Sequence, residues 1–281
     1  MTLILDGKKL SETIREQMKQ EIVQHETKPT LVIIQIGNMP ESNIYIKYKK
    51  IFATHIGAKV ILKKYEETIT EQEVILDIQK FNDDKAIHGI IVQQPIPKNL
   101  DKDTIIDTIL PSKDVDGMSA SNMKSQNILP ATTKGILTLL EHYKIPIESK
   151  KVVVVGRSAL VGKPTAIAFL NKDATVTLCH SHTQNLQEET KRADILIVAI
   201  GAQKFIGENH VSPGQTVIDV GINAEDDSRV LSGDVDYEHV KPIVSAITPV
   251  PGGVGPMTVA SLFQNLLQQF VHHNSSTDRN I

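Results

Sequence analysis

The chain contains a single cysteine and no apolar run longer than a strand. One cysteine excludes an internal disulfide framework and is typical of a reducing compartment. A membrane span needs ~20 consecutive apolar residues, which no segment supplies. The N-terminus reaches Asp6 where a signal peptide would continue its apolar core. We therefore expect a cytoplasmic protein without a membrane partner.

The chain also lacks a strong excess of charge of either sign. Its net charge is −3, from 30 basic and 33 acidic residues, so no attraction to nucleic acid or to anionic membranes is expected. Its 281 residues, 40% hydrophobic and 22% charged, are typical of a soluble globular protein with one large or two modest domains.

Short β-branched runs alternate with amphipathic segments along most of the chain. In the first half this pattern predicts strands at 31–36, 60–62 and 89–93 and helices at 41–55, 71–82 and 102–109. A polar stretch between Pro111 and Pro130 is a candidate domain crossing. In the second half the pattern predicts a helix at 134–143 and strands at 151–155, 174–178, 195–199 and 217–220. Because continuous apolar strands are buried on both faces, we predict two α/β domains, the second a Rossmann-like doubly wound parallel sheet.

A glycine-bearing turn follows strand 151–155 and precedes an apolar helix. Such a turn directs backbone N–H groups and the positive end of the helix at a phosphate. The usual G-x-G-x-x-G pattern is broken, since Ser158 stands where the second glycine belongs. The spacings of a P-loop and of a nucleophile elbow also fail. A variant dinucleotide turn and a plain βα turn both remain open.

The next strand bears on the choice of dinucleotide. NAD-selective folds carry an Asp or Glu about 20 residues after the turn, whereas this strand ends in Cys179-His180-Ser181-His182. Arg157 lies in the turn, and its guanidinium suits a 2′-phosphate. The sequence therefore favours NADP over NAD. We interpret Cys179 as a small packed residue, and the two histidines lack the further ligands that would indicate a metal site.

Polar residues that could carry chemistry occur in the first half. Tyr45 and Lys49 are four apart on a predicted helix, so they share one face. Gln93 ends a predicted strand at the sheet edge where ligands bind, and Asp116 lies at the domain crossing. A surface helix with extended lysines, and a simple turn at Asp116-Gly117, remain the alternatives.

A loop rich in proline and glycine, Thr248-Pro-Val-Pro-Gly-Gly-Val-Gly-Pro256, precedes the last predicted helix. Proline fixes φ and glycine permits conformations closed to other residues, so the run specifies one shaped loop with little side-chain bulk. A ligand could lie against such a backbone. A rigid connection between domains is the alternative.

Over residues 3–270 these segments resemble the bifunctional methylenetetrahydrofolate dehydrogenase/methenyltetrahydrofolate cyclohydrolase family. The resemblance implies two α/β domains flanking a cleft, and a homodimer. Residues 1–120 would form the catalytic, folate-binding domain, to which a C-terminal helix at 257–271 returns. Residues 121–256 would bind NADP, and the aperiodic tail 272–281 is predicted to be frayed. The most specific marks are Tyr45 with Lys49, Lys113-Asp-Val-Asp-Gly117, Gly156-Arg-Ser158 with Val161-Gly162, and Pro251-Gly-Gly-Val-Gly-Pro-Met-Thr258.

The resemblance also implies roles for single residues. Lys49 would be the catalytic lysine, Gln93 its support, and Asp116 the carboxylate that receives the N–H groups of the pterin. Tyr45 would stack on the substrate, and the loop at Pro251 and Gly252 would close one side of the site. The implied cofactor contacts are Gly156, Arg157, Ser158, Ser181, Ile222 and also His182, where NADP-using members often carry Arg or Lys.

The implied activity is oxidation of 5,10-methylenetetrahydrofolate with NADP, followed by hydrolysis of the methenyl product to 10-formyltetrahydrofolate. A dehydrogenase without hydrolysis, and a non-catalytic folate or dinucleotide-binding module, are the alternatives. Lys49 and Gln93 argue against the first alternative, and the presence of Lys49, Asp116 and the Gly156 turn argues against the second. The sequence departs from the family pattern at Gln94, where leucine is expected, and at Ala131 and Thr133, where cysteine and proline are usual.

Overall fold

The computed structural model describes residues 1–224 and 231–277, which form two compact units. The first unit comprises 1–11 and 132–258, and the second comprises 12–131 and the chain from 259 onward. This division differs from the predicted domains 1–120 and 121–256. The N-terminal residues group with the first unit because the strand Leu3–Ile4 pairs in parallel with Ala246–Ile247 of its sheet.

The regular elements alternate as the sequence pattern predicts. In chain order the strands are β1 (Leu3–Ile4), β2 (Thr30–Ile36), β3 (Lys59–Tyr65), β4 (Gly89–Val92), β5 (Lys151–Val155), β6 (Thr175–Cys179), β7 (Ile195–Val198), β8 (Thr216–Asp219), β9 (Asn223–Ala224), β10 (Leu231–Ser232) and β11 (Ala246–Ile247). The helices are α1 (Gly7–Ile22), α2 (Pro40–Ile56), α3 (Glu71–Asp83), α4 (Lys102–Asp107), α5 (Ala120–Ser125), α6 (Ala131–His142), α7 (Gly162–Leu170), α8 (Leu186–Lys191), α9 (Tyr237–Val240) and α10 (Val254–Thr277), with a 3-10 turn at Glu208–His210.

The first unit is built on a parallel sheet of six strands in the order β1-β11-β8-β7-β5-β6. Its central strands β7 and β8 are buried throughout. This burial explains the unbroken apolar sequence of β7, whereas β8 also buries Thr216 and Asp219 at its two ends. The chain leaves β5 toward β6 on one side and later returns to β7 on the other. The carboxyl ends of β5 and β7 therefore flank a topological switch point, where ligands of such sheets bind. The predicted Rossmann-like sheet is confirmed.

The second unit holds a smaller parallel sheet in the order β3-β2-β4. Every residue of β2 is buried. Helix α10 packs closely on β4, since a Cβ added at Gly89 would lie 2.7 Å from both Leu266 Cδ1 and Val115 Cγ1. The ring of Phe263 in α10 also stacks on Phe52 of α2, with 5.1 Å between ring centroids. These contacts hold α2 and the start of β4 against α10; Lys49 lies on α2 and Gln93 follows β4.

Two features at the chain ends were not predicted correctly. Helix α1 was missed, although its buried residues Leu10, Ile14, Met18 and Ile22 recur at every fourth position. The predicted frayed tail is wrong for residues 272–277, which continue α10, while residues 278–281 lie outside the described part. No helix in the described ranges has the length and apolar character to cross a membrane.

Candidate active site

Lys49 is a buried lysine whose ammonium group is held by one partner at the end of β4. Its side chain on α2 is only 8% exposed, and Nζ donates a hydrogen bond to Gln93 Oε1 at 2.8 Å. Gln93 Nε2 in turn donates to the Gln94 carbonyl at 2.8 Å. Because both ends of the Gln93 amide are engaged, its oxygen faces the lysine. Gln93 thus positions Nζ.

Electrostatics make Lys49 a candidate for proton transfer. Burial lowers the pKa of Lys49, and the neighbouring Asp116 carboxylate opposes that shift. Burial likewise raises the pKa of Asp116, against the effect of Lys49. Each charge therefore favours ionisation of the other in a site that disfavours both. A buried lysine with a lowered pKa gives up its proton more readily than an exposed lysine does, which suits it to proton transfer.

Tyr45 lies one helical turn before Lys49 and is partly buried. Burial raises its pKa, with a smaller contribution from Tyr48, so the phenol remains neutral. A neutral ring beside the lysine can offer an apolar face to a planar ligand. The start of the helix is tied to the same sheet edge, because Ser42 Oγ donates to the Gln94 carbonyl at 3.0 Å.

In the acidic motif at 113–117, Lys113 and Asp114 stabilise the local structure, whereas Asp116 belongs to the candidate site. Lys113 Nζ donates to the carbonyls of Phe81 and Asp84, at 2.9 and 2.7 Å, at the end of α3. The Asp114 carboxylate is 1% exposed and is satisfied within its own turn. It accepts from the backbone N–H groups of Gly117, Met118 and Ser119 and from the side-chain amide of Asn122. Lys113 and Asp114 thus build the turn that places Asp116 beside Lys49.

The departures from the family pattern have local consequences. Gln94 Nε2 is buried and donates to no other group in the described residues. Leucine, which is expected at this position in the family, has no side-chain hydrogen-bond donor, so this donor at the sheet edge comes from the substitution. The Thr133 hydroxyl lies 3.0 Å from the hydroxyl of Thr165, with both residues fully buried. That bond links α6 to α7, an interaction that proline could not make. We have no structural account of Ala131 beyond its position as the first residue of α6.

In the first unit, the turn after β5 has the shape of a phosphate cradle. Gly156 has φ 117°, and a Cβ there would collide with the Ala199 carbonyl at the end of β7. A Cβ at Gly162 would collide with the carbonyl of Gly156. These two glycines bring β5, β7 and the start of α7 within backbone contact. A dinucleotide turn requires such a close approach, so the residues fit that ligand.

Polar side chains surround this turn. Ser158 Oγ accepts from the N–H groups of Val161 and Gly162 at 3.2 and 3.4 Å, which shapes the start of α7 in place of the missing glycine. The pKa of His180 is lowered by burial and then by Arg157 and His182. The candidate contacts Arg157, Ser158, Ser181 and His182 are all exposed at the ends of β5 and β6, and Ile222 is 41% exposed after β8.

Cys179 and the histidines beside it carry no separate site. Cys179 is 0% exposed, and burial raises its pKa, so it is the packed residue that the sequence predicts. Among residues 1–224 and 231–277, no group of three His, Cys, Asp or Glu side chains is placed to hold a metal ion. His180 instead shapes its turn, since its Nδ1 accepts from the His182 N–H at 3.1 Å.

The proline- and glycine-rich loop is held by the start of α1, a support that the sequence reading missed. The Lys8 N–H donates to the Gly252 carbonyl at 2.8 Å. Any side chain at Gly7 would collide with the Gly253 carbonyl. Gly252 itself has φ 111°, a conformation that other residues avoid. Pro251 is exposed beside it, so the loop presents a fixed backbone surface.

Comparison with known proteins gives matches over nearly the whole chain. Residues 5–116 match the family described as the tetrahydrofolate dehydrogenase/cyclohydrolase catalytic domain. Residues 130–274 match the NAD(P)-binding domain of the same family. A bifunctional protein FolD from Acholeplasma laidlawii is 47% identical over 269 residues, which cover 94% of this chain and 96% of that protein.

Solved structures agree with these matches. The crystal structure of the bifunctional FolD methylenetetrahydrofolate dehydrogenase/cyclohydrolase from Campylobacter jejuni is 40% identical and has a TM-score of 0.93, covering 96% of this chain and 98% of that one. The methylenetetrahydrofolate dehydrogenase-cyclohydrolase of Trypanosoma brucei, solved with NADP and an inhibitor, is 30% identical. Its TM-score is also 0.93, over 96% of this chain and 98% of that one. The resemblance inferred from the motifs is confirmed.

Proposed function

The chain belongs to the tetrahydrofolate dehydrogenase/cyclohydrolase family, and on that basis we propose that it oxidises 5,10-methylenetetrahydrofolate with NADP and hydrolyses the methenyl product to 10-formyltetrahydrofolate. The observation that carries this proposal is the buried Lys49, held by Gln93 at 2.8 Å and coupled to Asp116. A dehydrogenase alone has no evident use for a buried lysine with a lowered pKa.

We assign the oxidation step to binding and orientation. When bound, NADP supplies the hydride acceptor. Gly156 and the start of α7 would hold its pyrophosphate, and Arg157 would bind the 2′-phosphate bidentately. Tyr45 would stack on the folate, and Asp116 would accept the N–H groups of the pterin. Holding both reactants in register supplies much of the rate of such a step.

We assign the hydrolysis step to proton transfer by Lys49. Water adds to the methenyl carbon and gives up a proton, and the bond from that carbon to N5 then breaks while N5 gains a proton. Neutral Lys49 Nζ can take the first proton and return it to N5, while the remaining hydroxyl proton leaves to solvent as the formyl C=O forms. One proton is thus released overall, and the lysine ends the cycle unchanged. The Gln93 oxygen keeps Nζ in place during both transfers.

One prediction follows from the charge of Asp116. Because neutral lysine takes the proton, the rate of hydrolysis should rise with pH through the pKa of Lys49. The Asp116 carboxylate raises that pKa, so Asp116→Asn should lower it further. The rising limb of the pH profile, measured at saturating methenyl substrate, should then move to lower pH. A limb that stays in place or moves to higher pH would contradict the coupling.

The assay that tests the function follows NADP reduction in the near ultraviolet with 5,10-methylenetetrahydrofolate as substrate. The methenyl and 10-formyl products are separated by chromatography at neutral pH, because acid would convert the 10-formyl product back to the methenyl form. Reduction without methenyl accumulation is the expected result. Reduction with accumulation would leave a dehydrogenase alone and remove the role of Lys49. Failure to reduce either NADP or NAD would favour the non-catalytic binding module instead.

We also propose that the enzyme is a cytoplasmic homodimer. The first unit ends its sheet in the edge strand β6, beside which α7 exposes apolar side chains. Ile167 and Leu170 of that helix are 40% and 59% exposed, and Leu160 before it is 38% exposed. An edge strand beside an apolar helix suits pairing with a second copy. Sedimentation of the purified enzyme that gave the 31.0 kDa mass of one chain would contradict the dimer.

A further inference from the structure

Another buried carboxylate lies beside the Rossmann-like sheet of the first unit. Asp234, between β10 and α9, is 0% exposed. Its Oδ2 accepts from the N–H groups of Ile200 and Gly201 at 2.7 and 2.9 Å. Its Oδ1 accepts from the Ala202 N–H at 2.8 Å and from Asn223 Nδ2 at 3.0 Å. Three successive backbone N–H groups form a concave anion site, and here the protein fills that site with its own carboxylate.

Asp234 is itself held by the carboxylate that ends β8. Asp219 Oδ1 accepts from the N–H groups of Gly221 and Asp234, both at 3.0 Å. Asp219 Oδ2 accepts from the Val235 N–H at 2.9 Å. The two acids therefore join three segments: the loop after β7, the loop after β8, and the segment from 233 to 235. A side chain at Gly221 or Gly233 would collide with one of the carboxylates, so these segments are tightly fitted.

The loops after β7 and β8 lie where one half of a bound dinucleotide would be expected in a Rossmann-like sheet. In a Rossmann-like sheet the first strand holds the pyrophosphate and the second lies beside the adenosine ribose. Here those strands are β5 and β6. Strands β7 and β8 lie on the opposite side of β5, so the loops after them flank the nicotinamide half. Ile222, the candidate cofactor contact, lies between Gly221 and Asn223, which both donate to the carboxylate pair.

We propose that Asp234 is a positioning residue for the nicotinamide half of the cofactor, an inference that rests on the proposed function. By filling the N–H concavity at 200–202 it excludes phosphate from that loop, which leaves the Gly156 turn as the site for the pyrophosphate. By binding Asn223 it fixes the backbone on which Ile222 faces the ligand. Asp234 acts through these loops and not by contact with the reacting atoms.

The test compares two ligands by calorimetric titration. NADP spans both halves of the site, whereas adenosine 2′,5′-bisphosphate lacks the nicotinamide half. In Asp234→Asn the new amide N–H₂ faces backbone donors, so we expect the Kd for NADP to rise about tenfold or more, as for loss of a charge-assisted hydrogen bond. The Kd for the bisphosphate should stay unchanged. Asp236→Asn is the matched control, because Asp236 bonds the exposed His239 at 2.7 Å and lies outside the pair; it should bind both ligands normally.

The possible results distinguish a failure of the role of Asp234 from a failure of the proposed function on which it rests. Equal weakening of both ligands, or unchanged binding of NADP, would overturn the role of Asp234. Wild-type protein that bound neither ligand would instead overturn the proposed function. If Asp234→Asn does not fold, Asn223→Ala takes its place, since it removes one bond to the same carboxylate. That variant should weaken NADP severalfold without changing the Kd for the bisphosphate, and unchanged NADP binding would overturn the proposal.

Discussion

Replacing Lys49 with methionine is expected to reduce the hydrolysis of methenyltetrahydrofolate by about 10²–10⁴-fold, the range typical of a lost general acid–base group. Methionine keeps most of the buried side-chain volume but cannot exchange a proton. The oxidation step depends on binding and orientation, so NADP reduction should continue and methenyl product should accumulate. The measurement is the decay of methenyl absorbance in a variant that still reduces NADP.

The matched control is Lys50→Met, the next residue of the same helix, whose side chain is exposed. This variant also removes one positive charge, but from an exposed side chain outside the candidate site. Both activities should therefore stay near those of the wild type. NADP affinity should be unchanged in both variants, since the candidate cofactor contacts lie in the other unit. Undiminished hydrolysis in Lys49→Met would remove the lysine from the mechanism, and loss of NADP binding would indicate misfolding instead.

Local pattern predicts most of this fold because the central strands are buried on both faces. The predicted strand at 31–36 corresponds to Thr30–Ile36, and the predicted helix at 41–55 to Pro40–Ile56. Strand β1 has only two residues, and its partner Ala246–Ile247 lies at the other end of the sequence. No local periodicity can show such a pairing, so the grouping of residues 1–11 with the Rossmann-like sheet could not be read from the sequence.

The sequence likewise predicts only part of the candidate site. The spacing of Tyr45 and Lys49 places them on one helical face, which the structure shows. Asp114 and Asp116, in contrast, flank the same valine and look equivalent in the sequence. Only the folded turn shows that Asp114 accepts backbone N–H groups while Asp116 couples to the lysine. The buried carboxylate of Asp234 was missed for the same reason, because its donors come from distant loops.

Gly156→Ala is expected to have the largest effect among changes at the cofactor turn. At φ 117° an alanine is strained, and its Cβ would meet the Ala199 carbonyl, which is backbone and cannot move aside. Strain of about 1–3 kcal/mol and overpacking of a similar size add to about 2–6 kcal/mol of lost unfolding free energy. Urea denaturation measures that loss, and titration with NADP should show at least tenfold weaker binding because the phosphate cradle is displaced.

Gly214→Ala separates the two causes. Gly214 also has a positive φ, 92°, but a Cβ there would meet nothing within 4 Å. Its cost should be limited to backbone strain, about 1 kcal/mol, with normal NADP binding. If the two variants lost equal unfolding free energy, close contact between β5 and β7 would not be what requires glycine at 156. If Gly156→Ala were destabilised but bound NADP normally, the turn would be a packing feature of the sheet, and the phosphate would have to be held elsewhere.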